Sequence, residues 1–347
     1  MSSQNHKRLR RHLVVLLSLV SLLWAGLWFV TSADKDLLAR STVLLDLSSH
    51  PHPGNVSIRG WLTDHELLCG IGGGDVDDDF FVVDTRQGQY RALPALTAFQ
   101  HENGTIPLAV SPDGRWLLCT ERLHGDVMAH NHTDTWQYEI QGDRVFTLQT
   151  GPGVNFVWSA DSQSCLAWDE HAQCILQWPL AVSGRCDRRP IASIAADTWL
   201  IGVHGQNAVF TTAAPDANQA PICEMVWSDP AYKRVLCTLH SSQKGSIDTA
   251  MHLSPDGQRL AWRESVSVNR PGPAWLQWVY RKLGMGSGDY NVLWTCRIDG
   301  TDRRKIGYVQ AIGLADGSEG LDDFGWDFTG KGLWFTYHGR IRNVPAD

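Results

Sequence analysis

Ser111-Pro112-Asp113-Gly114 runs directly into Arg115-Trp116-Leu117-Leu118-Cys119, and the same phrase comes back along the chain. Ser254-Pro255-Asp256-Gly257 precedes Leu260-Ala261-Trp262. Ser159-Ala160-Asp161-Ser162 precedes Leu166-Ala167-Trp168, and Asp327-Phe328-Thr329-Gly330 precedes Leu333-Trp334-Phe335. Two weaker copies are Thr63-Asp64-His65 before Leu67-Leu68-Cys69 and His204-Gly205-Gln206-Asn207 before Ala208-Val209-Phe210. The apolar triplets end at 69, 119, 168, 210, 262 and 335, in steps of 50, 49, 42, 52 and 73 residues. Spacing of this size marks repeated supersecondary units.

The chemistry of the phrase is that of a hairpin. Proline presets φ for the first turn position, aspartate accepts bonds from nearby backbone amides, and glycine adopts the left-handed conformation without steric cost. β-prone runs flank it, such as Pro107 to Val110 before the turn and the Leu-rich triplets after it, so each copy reads as strand, turn, strand. A second hairpin follows in most units. Asp79 to Asp84 leads through Gln87-Gly88 into Tyr90 to Leu93, Thr135 to Ile140 through Gln141-Gly142 into Val145 to Leu148, and Asn291 to Cys296 through Asp299-Gly300 into Lys305 to Gly307. Four short antiparallel strands per unit, with no helix between units, is the composition of a propeller blade.

On these motifs the units resemble the blades of TolB-type propellers, a WD-like repeat family in which a Ser-Pro-Asp-Gly turn follows a Trp or Val. The resemblance covers roughly residues 55 to 347. It implies an all-β, six-bladed β-propeller of four-stranded antiparallel blades. The family spans binding modules, accessory domains and some enzymes, so the fold leaves the function open. The segment Thr42-Val43-Leu44-Leu45-Asp46-Leu47 is β-prone and belongs to no unit, while the last unit ends at Arg340 to Val344 without a fourth strand. We expect the first to pair with the second and close the ring, removing an exposed edge.

The N-terminus is a separate device. Basic residues His6-Lys7-Arg8-Leu9-Arg10-Arg11-His12 precede an uncharged run from Leu13 to Val30. A helix of that length spans about 27 Å, just enough for a hydrocarbon core of ~30 Å. Lys and Arg before the run, with Asp34 and Asp36 after it, put the N-terminus in the cytoplasm and the propeller on the exported side. The expected layout is therefore a basic N-terminus at 1–12, a transmembrane helix at 13–30, a stalk at 31–40 and the propeller at 41–347. A cleaved signal peptide is the competing reading, but Thr31-Ser32-Ala33 is a weak cleavage site and the apolar run is long for one.

Composition narrows the partners. A net charge of −7 and a pI near 6.0 argue against nucleic acid, which needs a clustered basic surface. The 16 Trp are expected chiefly as packing between blades. Eight cysteines in an exported chain invite disulfides. Cys69, Cys119, Cys165 and Cys237 lie in or beside apolar strands and read as buried thiols, whereas Cys174 and Cys186 flank a Ser183-Gly184 turn and form a candidate bridge.

Several groups are candidate sites. First strands line a propeller's channel, and Asn155, Asp197, His252 and Asp323 occupy comparable first-strand stretches in units three to six, a candidate binding ring at the channel mouth. Asp75, Asp77, Asp78 and Asp79 cluster in the glycine-rich loop after Cys69 and supply oxygens suited to Ca²⁺, although their spacing is not that of an EF-hand. His130 and His132 lack a third zinc ligand at a defined spacing. Between units five and six, an insertion near 271–286 holds Pro271-Gly272-Pro273, then Ala274 to Leu283, then Gly284, the brackets of a short helix and the one helical candidate of the exported part. Its Trp275 and Trp278, with Arg281 and Lys282 beside them, would suit a membrane interface or a packed rim. No nucleophile elbow, zinc-protease motif or cofactor signature occurs. The expectation is a non-enzymatic binding module of the cell envelope whose partner is another envelope protein. The alternative is a propeller enzyme, a polysaccharide lyase or hydrolase-like, with a metal or substrate site at the channel.

Overall fold

The computed structural model describes residues 36–46, 55–72, 79–103, 105–121, 135–141, 144–148, 154–159, 161–169, 174–179, 189–193, 199–212, 218–226, 229–241, 246–268, 288–311, 321, 323–337 and 340–346. They open with a short helix, α1 (Asp36–Arg40), and β1 (Thr42–Asp46). A first sheet follows: β2 (Asn55–Trp61), β3 (Glu66–Gly72), β4 (Asp79–Asp84) and β5 (Gln89–Ala92). After helix α2 (Pro94–Asn103) comes a second: β6 (Thr105–Val110), β7 (Trp116–Glu121), β8 (Thr135–Glu139) and β9 (Arg144–Leu148). The third holds β10 (Val154–Trp158), β11 (Ser164–Asp169), β12 (Cys174–Pro179) and β13 (Arg189–Ser193). The fourth holds β14 (Trp199–His204), β15 (Asn207–Thr211), β16 (Gln219–Val226) and β17 (Asp229–His240). The fifth holds β18 (Ser246–Leu253), β19 (Arg259–Val268), β20 (Gly288–Arg297) and β21 (Arg304–Ala311). The last is β22 (Phe324–Trp326), β23 (Gly332–Tyr337) and β24 (Arg340–Pro345), with β1 added outside β24. All pairings are antiparallel, and the architecture is an all-β propeller of four-stranded blades.

The repeated turn explains the start of each sheet. In the second sheet Ser111 is buried, its hydroxyl donates to Asp113 Oδ1 at 2.5 Å, and it accepts the Trp116 N–H at 3.0 Å. The Gly114 N–H donates to the Ser111 carbonyl at 2.9 Å, and Gly114 holds φ at +70°. Ser254 and Asp256 repeat this geometry, with bonds of 2.6 and 2.9 Å. In the third sheet Ser162 replaces the glycine and still adopts φ +58°. Where Asp327 replaces the serine, its Oδ1 accepts directly from Thr329 Oγ1 at 2.8 Å and the Lys331 N–H at 3.2 Å. The turns also touch their neighbours. The Asp113 N–H donates to Ser162 Oγ of the next sheet at 3.0 Å, and Gly257 lies against the His204 ring of the sheet before.

Apolar faces meet in the seams between sheets. Leu62, Leu68 and Phe80 of the first sheet pack on Leu117, Cys119 and Tyr138 of the second. Val209, Ile222 and Leu239 of the fourth pack on Leu260, Trp262 and Cys296 of the fifth. Burying such surface at about 25 cal/mol per Å² is what binds neighbouring sheets. The last seam joins the chain's two ends: Leu45, Trp334 and Ile341 of the last sheet pack on Ile58, Leu67, Cys69 and Phe81 of the first.

The expected closing strand is present. Thr42 pairs with Asn343, Val43 with Arg342, Leu45 with Ile341 and Asp46 with Arg340. Two helices depart from the expectation. Residues 36–40, expected as part of the stalk, form α1 with Leu37 buried against the fifth and last sheets, and within 41–347, where the insertion near 271–286 is the one helical candidate, α2 bridges the first and second sheets. Pro94 sits at its first position, where the missing N–H costs nothing, and Leu93 and Leu96 are buried against the first sheet. Among the described residues no helix is long and apolar enough to cross a membrane. The expected span at 13–30 and the inserted helix carrying Trp275, Trp278, Arg281 and Lys282 lie outside the described residues.

Candidate functional site

The first strands of successive sheets lie side by side in chain order: β2, β6, β10, β14, β18 and β22, with β2 also against β23. Five of these strands are irregular against their partner, with register shifts at Ile58/Gly60, Pro107/Ala109, Val154/Val157, Leu200/Gly202 and Ile247/Met251. A bulge in a strand re-aims side chains locally. It also breaks the period-2 alternation from which sequence infers the direction of a residue.

Tryptophans that close three of the first strands tie neighbouring sheets together. Trp158 Nε1 donates to the Ala109 carbonyl at 2.9 Å, and Trp326 Nε1 to the His252 carbonyl at 3.0 Å. Trp61 Nε1 donates to the Trp326 carbonyl at 3.2 Å, across the closing seam. An indole N–H removed here leaves a carbonyl in a largely apolar seam. We expect Trp326→Phe to cost about 1–3 kcal/mol, from the lost bond and the smaller ring left in the seam. A denaturant midpoint equal to that of the parent chain would show that the His252 carbonyl has another donor.

Polar chemistry concentrates where the ring closes. Asp323, immediately before β22, accepts the Phe324 N–H at Oδ1 (2.9 Å) and the Ile58 N–H of the first sheet at Oδ2 (3.3 Å). Its main chain is clamped to Thr336, whose Oγ1 accepts the Asp323 N–H at 3.1 Å and whose N–H donates to the Asp323 carbonyl at 3.0 Å. Burial pushes the Asp323 carboxyl up to about 6. The guanidinium of Arg59, the two N–H donors and the guanidinium of Arg263 pull the other way without restoring the ordinary value. Arg263 reaches over from the fifth sheet, donating from Nη1 to the Leu321 carbonyl at 2.6 Å. The His252 ring stands edge-on to Phe324, with centroids 4.8 Å apart.

Of the predicted channel residues, His252 and Asp323 each touch Phe324, the first ring to ring and the second at its N–H. Asn155 lies in the irregular stretch of β10, at a position whose side chain is outside the description, and Asp197 lies outside the described residues. Of the acidic loop, Asp79 opens β4 and is exposed, while Asp75, Asp77 and Asp78 lie outside the described residues. Among the described residues no three carboxylate, imidazole or thiol groups gather to hold a metal. Cys174 faces Ser193 across β12 and β13 in backbone register, and its proposed partner Cys186 lies outside the described residues. Cys69, Cys119 and Cys165 are buried as expected, whereas Cys237, also expected to be buried, is only half-buried. Burial pushes the Cys119 thiol up to about 12, so it is held as an unreactive thiol.

Arg59 and Arg263 were missed. Arg59 had a signal: it is the one charged residue in the run Val56-Ser57-Ile58-Arg59-Gly60-Trp61, in one of the two units whose turn motif is weak. Arg263 had none, since it follows an ordinary Leu-Ala-Trp triplet on a second strand.

Comparison with known proteins agrees with this architecture. No protein-family profile matches the chain, and no curated protein matches it in sequence. Solved structures do match in shape. A protein assigned as TolB from Agrobacterium tumefaciens superposes with a TM-score of 0.50 at 12% identity, over 84% of this chain and 91% of that one. TolB from Acinetobacter baumannii gives 0.46 at 11% identity over 78% of this chain, which spans 63% of that protein. An oligogalacturonate lyase in complex with manganese gives 0.45 at 10% identity, over 81% and 72% of the two chains. The likeness to the Agrobacterium protein shows a shared fold and nothing about activity.

Proposed function

We propose that this chain is a single-pass membrane protein whose exported part is a six-bladed ring that presents a binding surface to another envelope protein. The observation that carries this reading is the strap formed by α1 and β1. Leu37 is fully buried between the fifth and last sheets, and β1 completes the last sheet. The apolar run ends at Val30 and the strap begins at Asp36, so only five residues separate the proposed anchor from the ring. Fully extended, they reach less than about 20 Å. A ring held that close to a bilayer suits a partner that is itself in or on the membrane.

The groups described at the channel mouth have structural partners. Both Asp323 oxygens accept backbone N–H groups, and the Trp61 and Trp326 indoles are bonded to carbonyls of neighbouring sheets. These groups hold the ring shut.

Two measurements test the reading. The full chain is expected to remain in the membrane pellet after carbonate extraction, while a chain beginning at Asp36 is expected in the supernatant. A photoreactive group scanned over the ring in native membranes is expected to capture one envelope protein from one contiguous face. Release of unsaturated products from polygalacturonate with manganese present would instead favour the enzyme reading.

A further inference from the structure

We propose that the outer rim where the fifth and last sheets meet lies on the bilayer and binds its anionic lipid headgroups, so that the ring stands edge-on with both faces open to water. The inference rests on the anchored reading above and adds which surface of the ring the anchor brings to the membrane.

The strap fixes where the chain leaves the ring. Leu37 lies against Gly307 of β21, while Arg342 of β24 donates to Ser41 Oγ at 2.7 Å and to the Leu38 carbonyl at 3.1 Å. β21 is the outermost strand of the fifth sheet, and β24 lies under β1 at the outer edge of the last. α1 therefore runs along the rim between these sheets. The five residues from the apolar run to Asp36 keep the bilayer within about 20 Å of that point. Proximity alone allows the rim or the edge of either face to meet the lipid, and charge selects the rim.

α1, β1, β21 and β24 carry Arg40, Arg304, Lys305, Arg340 and Arg342 against Asp36 and Asp46, in a chain whose net charge is −7. Arg304 pairs with Asp302 at 2.7 Å and Arg340 with Asp46 at 3.0 Å, both at the surface, where such pairs are weak. Among the described residues the other three cations have only neutral partners. Arg40 donates to the Ile306 carbonyl, Arg342 to the Ser41 hydroxyl and the Leu38 carbonyl, and Lys305 lies 4.2 Å from the Tyr308 ring centre. Their charge is left for an outside anion. Each Lys or Arg at an anionic bilayer surface is worth about fivefold in affinity. Val43, exposed and opposite Arg342 in the ladder, adds an apolar side chain among them. The repeated turns, which touch from sheet to sheet and so share one face, carry Asp64, Asp113, Asp161, Asp256 and Asp327 instead.

The test places a photoreactive residue at single exposed positions of the full chain, reconstituted in vesicles of phosphatidylglycerol and phosphatidylcholine. Val43 samples the proposed rim, Tyr90 and Val235 the outer strands of the first and fourth sheets, and Phe328 the face of turns. Lipid adducts are expected from Val43 at least about tenfold more often than from the other three. Their yield should fall at least about fivefold in phosphatidylcholine alone and in the Lys305→Glu, Arg340→Gln variant. It should hold in Arg91→Glu, Lys233→Gln, which changes the charge equally at exposed sites on β5 and β17. Equal yields from all four positions, or adducts chiefly from Phe328, would overturn the proposal, as would a Val43 yield indifferent to lipid charge. Should a probe at Val43 keep β1 from pairing, Ala39, exposed on α1, takes its place. Carbonate extraction of the same vesicles separates the two readings. Release of the chain ends the anchored reading, yet Val43 adducts formed before the wash and abolished by high salt still support the rim. Retention of the chain without preferred Val43 adducts ends the rim and leaves the anchor.

Discussion

Replacing Gly114 by alanine is expected to destabilise the ring by roughly 3–5 kcal/mol, whereas the same change at Gly88 should cost only about 1 kcal/mol. Both glycines sit in the left-handed region, at φ +70° and +65°, so both substitutions carry the same backbone strain. The surroundings differ. A Cβ on Gly114 would stand 2.0 Å from the Leu62 carbonyl oxygen and 2.7 Å from its carbon, both main-chain atoms of the preceding sheet. Neither can rotate away, so the turn must lift off its neighbour. That movement strains the Asp113 N–H bond to Ser162 and the packing of Leu62 on Leu117. A Cβ on Gly88 meets nothing within 4 Å. Gly257 falls between the two, since its obstruction is the exposed His204 ring, a side chain that can swing aside. Thermal melts should rank the variants Gly114→Ala, Gly257→Ala, Gly88→Ala from lowest to highest, spread over roughly 4–8 °C at about 2 °C per kcal/mol for a domain this large. Equal losses at Gly114 and Gly88 would mean that contact between turns does not hold the sheets together.

That ranking shows what could and could not be read in advance. The turn itself was legible, because the residue types at its four positions are dictated by local backbone geometry. Ser111, Asp113 and Gly114 do what a three-residue hairpin needs. Even the departures follow, since Ser162 adopts a left-handed φ where glycine is missing. The strand that closes the ring was also legible, because Thr42 to Asp46 had no other role and the last unit lacked an edge. Contacts between sheets were not legible. The Leu62 carbonyl under Gly114 lies 52 positions away in sequence and carries no side-chain signature. The site suffered for the same reason. Asp323 could be picked out as a first-strand acid, but its guanidinium neighbours come from a bulge in β2 and from a second strand, where alternation gives no guide. Helix α2 escaped notice because Pro94 resembles a loop residue unless its place at the start of a turn of helix is known.

Removing the strap should have the other large effect. A helix of five residues has no stability of its own, so α1 persists only because it is packed. Leu37 supplies that packing: it is fully buried with Leu293, Ile306 and Val309 of the fifth sheet and Leu321 and Phe324 of the last. Gly307 makes room for it, since a Cβ there would lie 2.9 Å from the Leu37 side chain. Polar bonds add register. Arg40 donates to the Ile306 carbonyl, Arg342 Nε to Ser41 Oγ at 2.7 Å, and Arg340 Nε to Asp46 Oδ2 at 3.0 Å. The Arg340–Asp46 pair is exposed and contributes little alone. Leu37→Ala should therefore cost about 2–5 kcal/mol, the price of a cavity where two sheets meet. A chain beginning at Ser48 should lose more, because it also forfeits the β1 ladder and leaves the outer edge of β24 unpaired. An unpaired edge invites another strand, so this shortened protein should self-associate in sedimentation velocity, while a chain beginning at Asp36 stays monomeric and melts like the parent. A monomeric, fully stable chain from Ser48 would show that the apolar seam between the last and first sheets closes the ring without the strap.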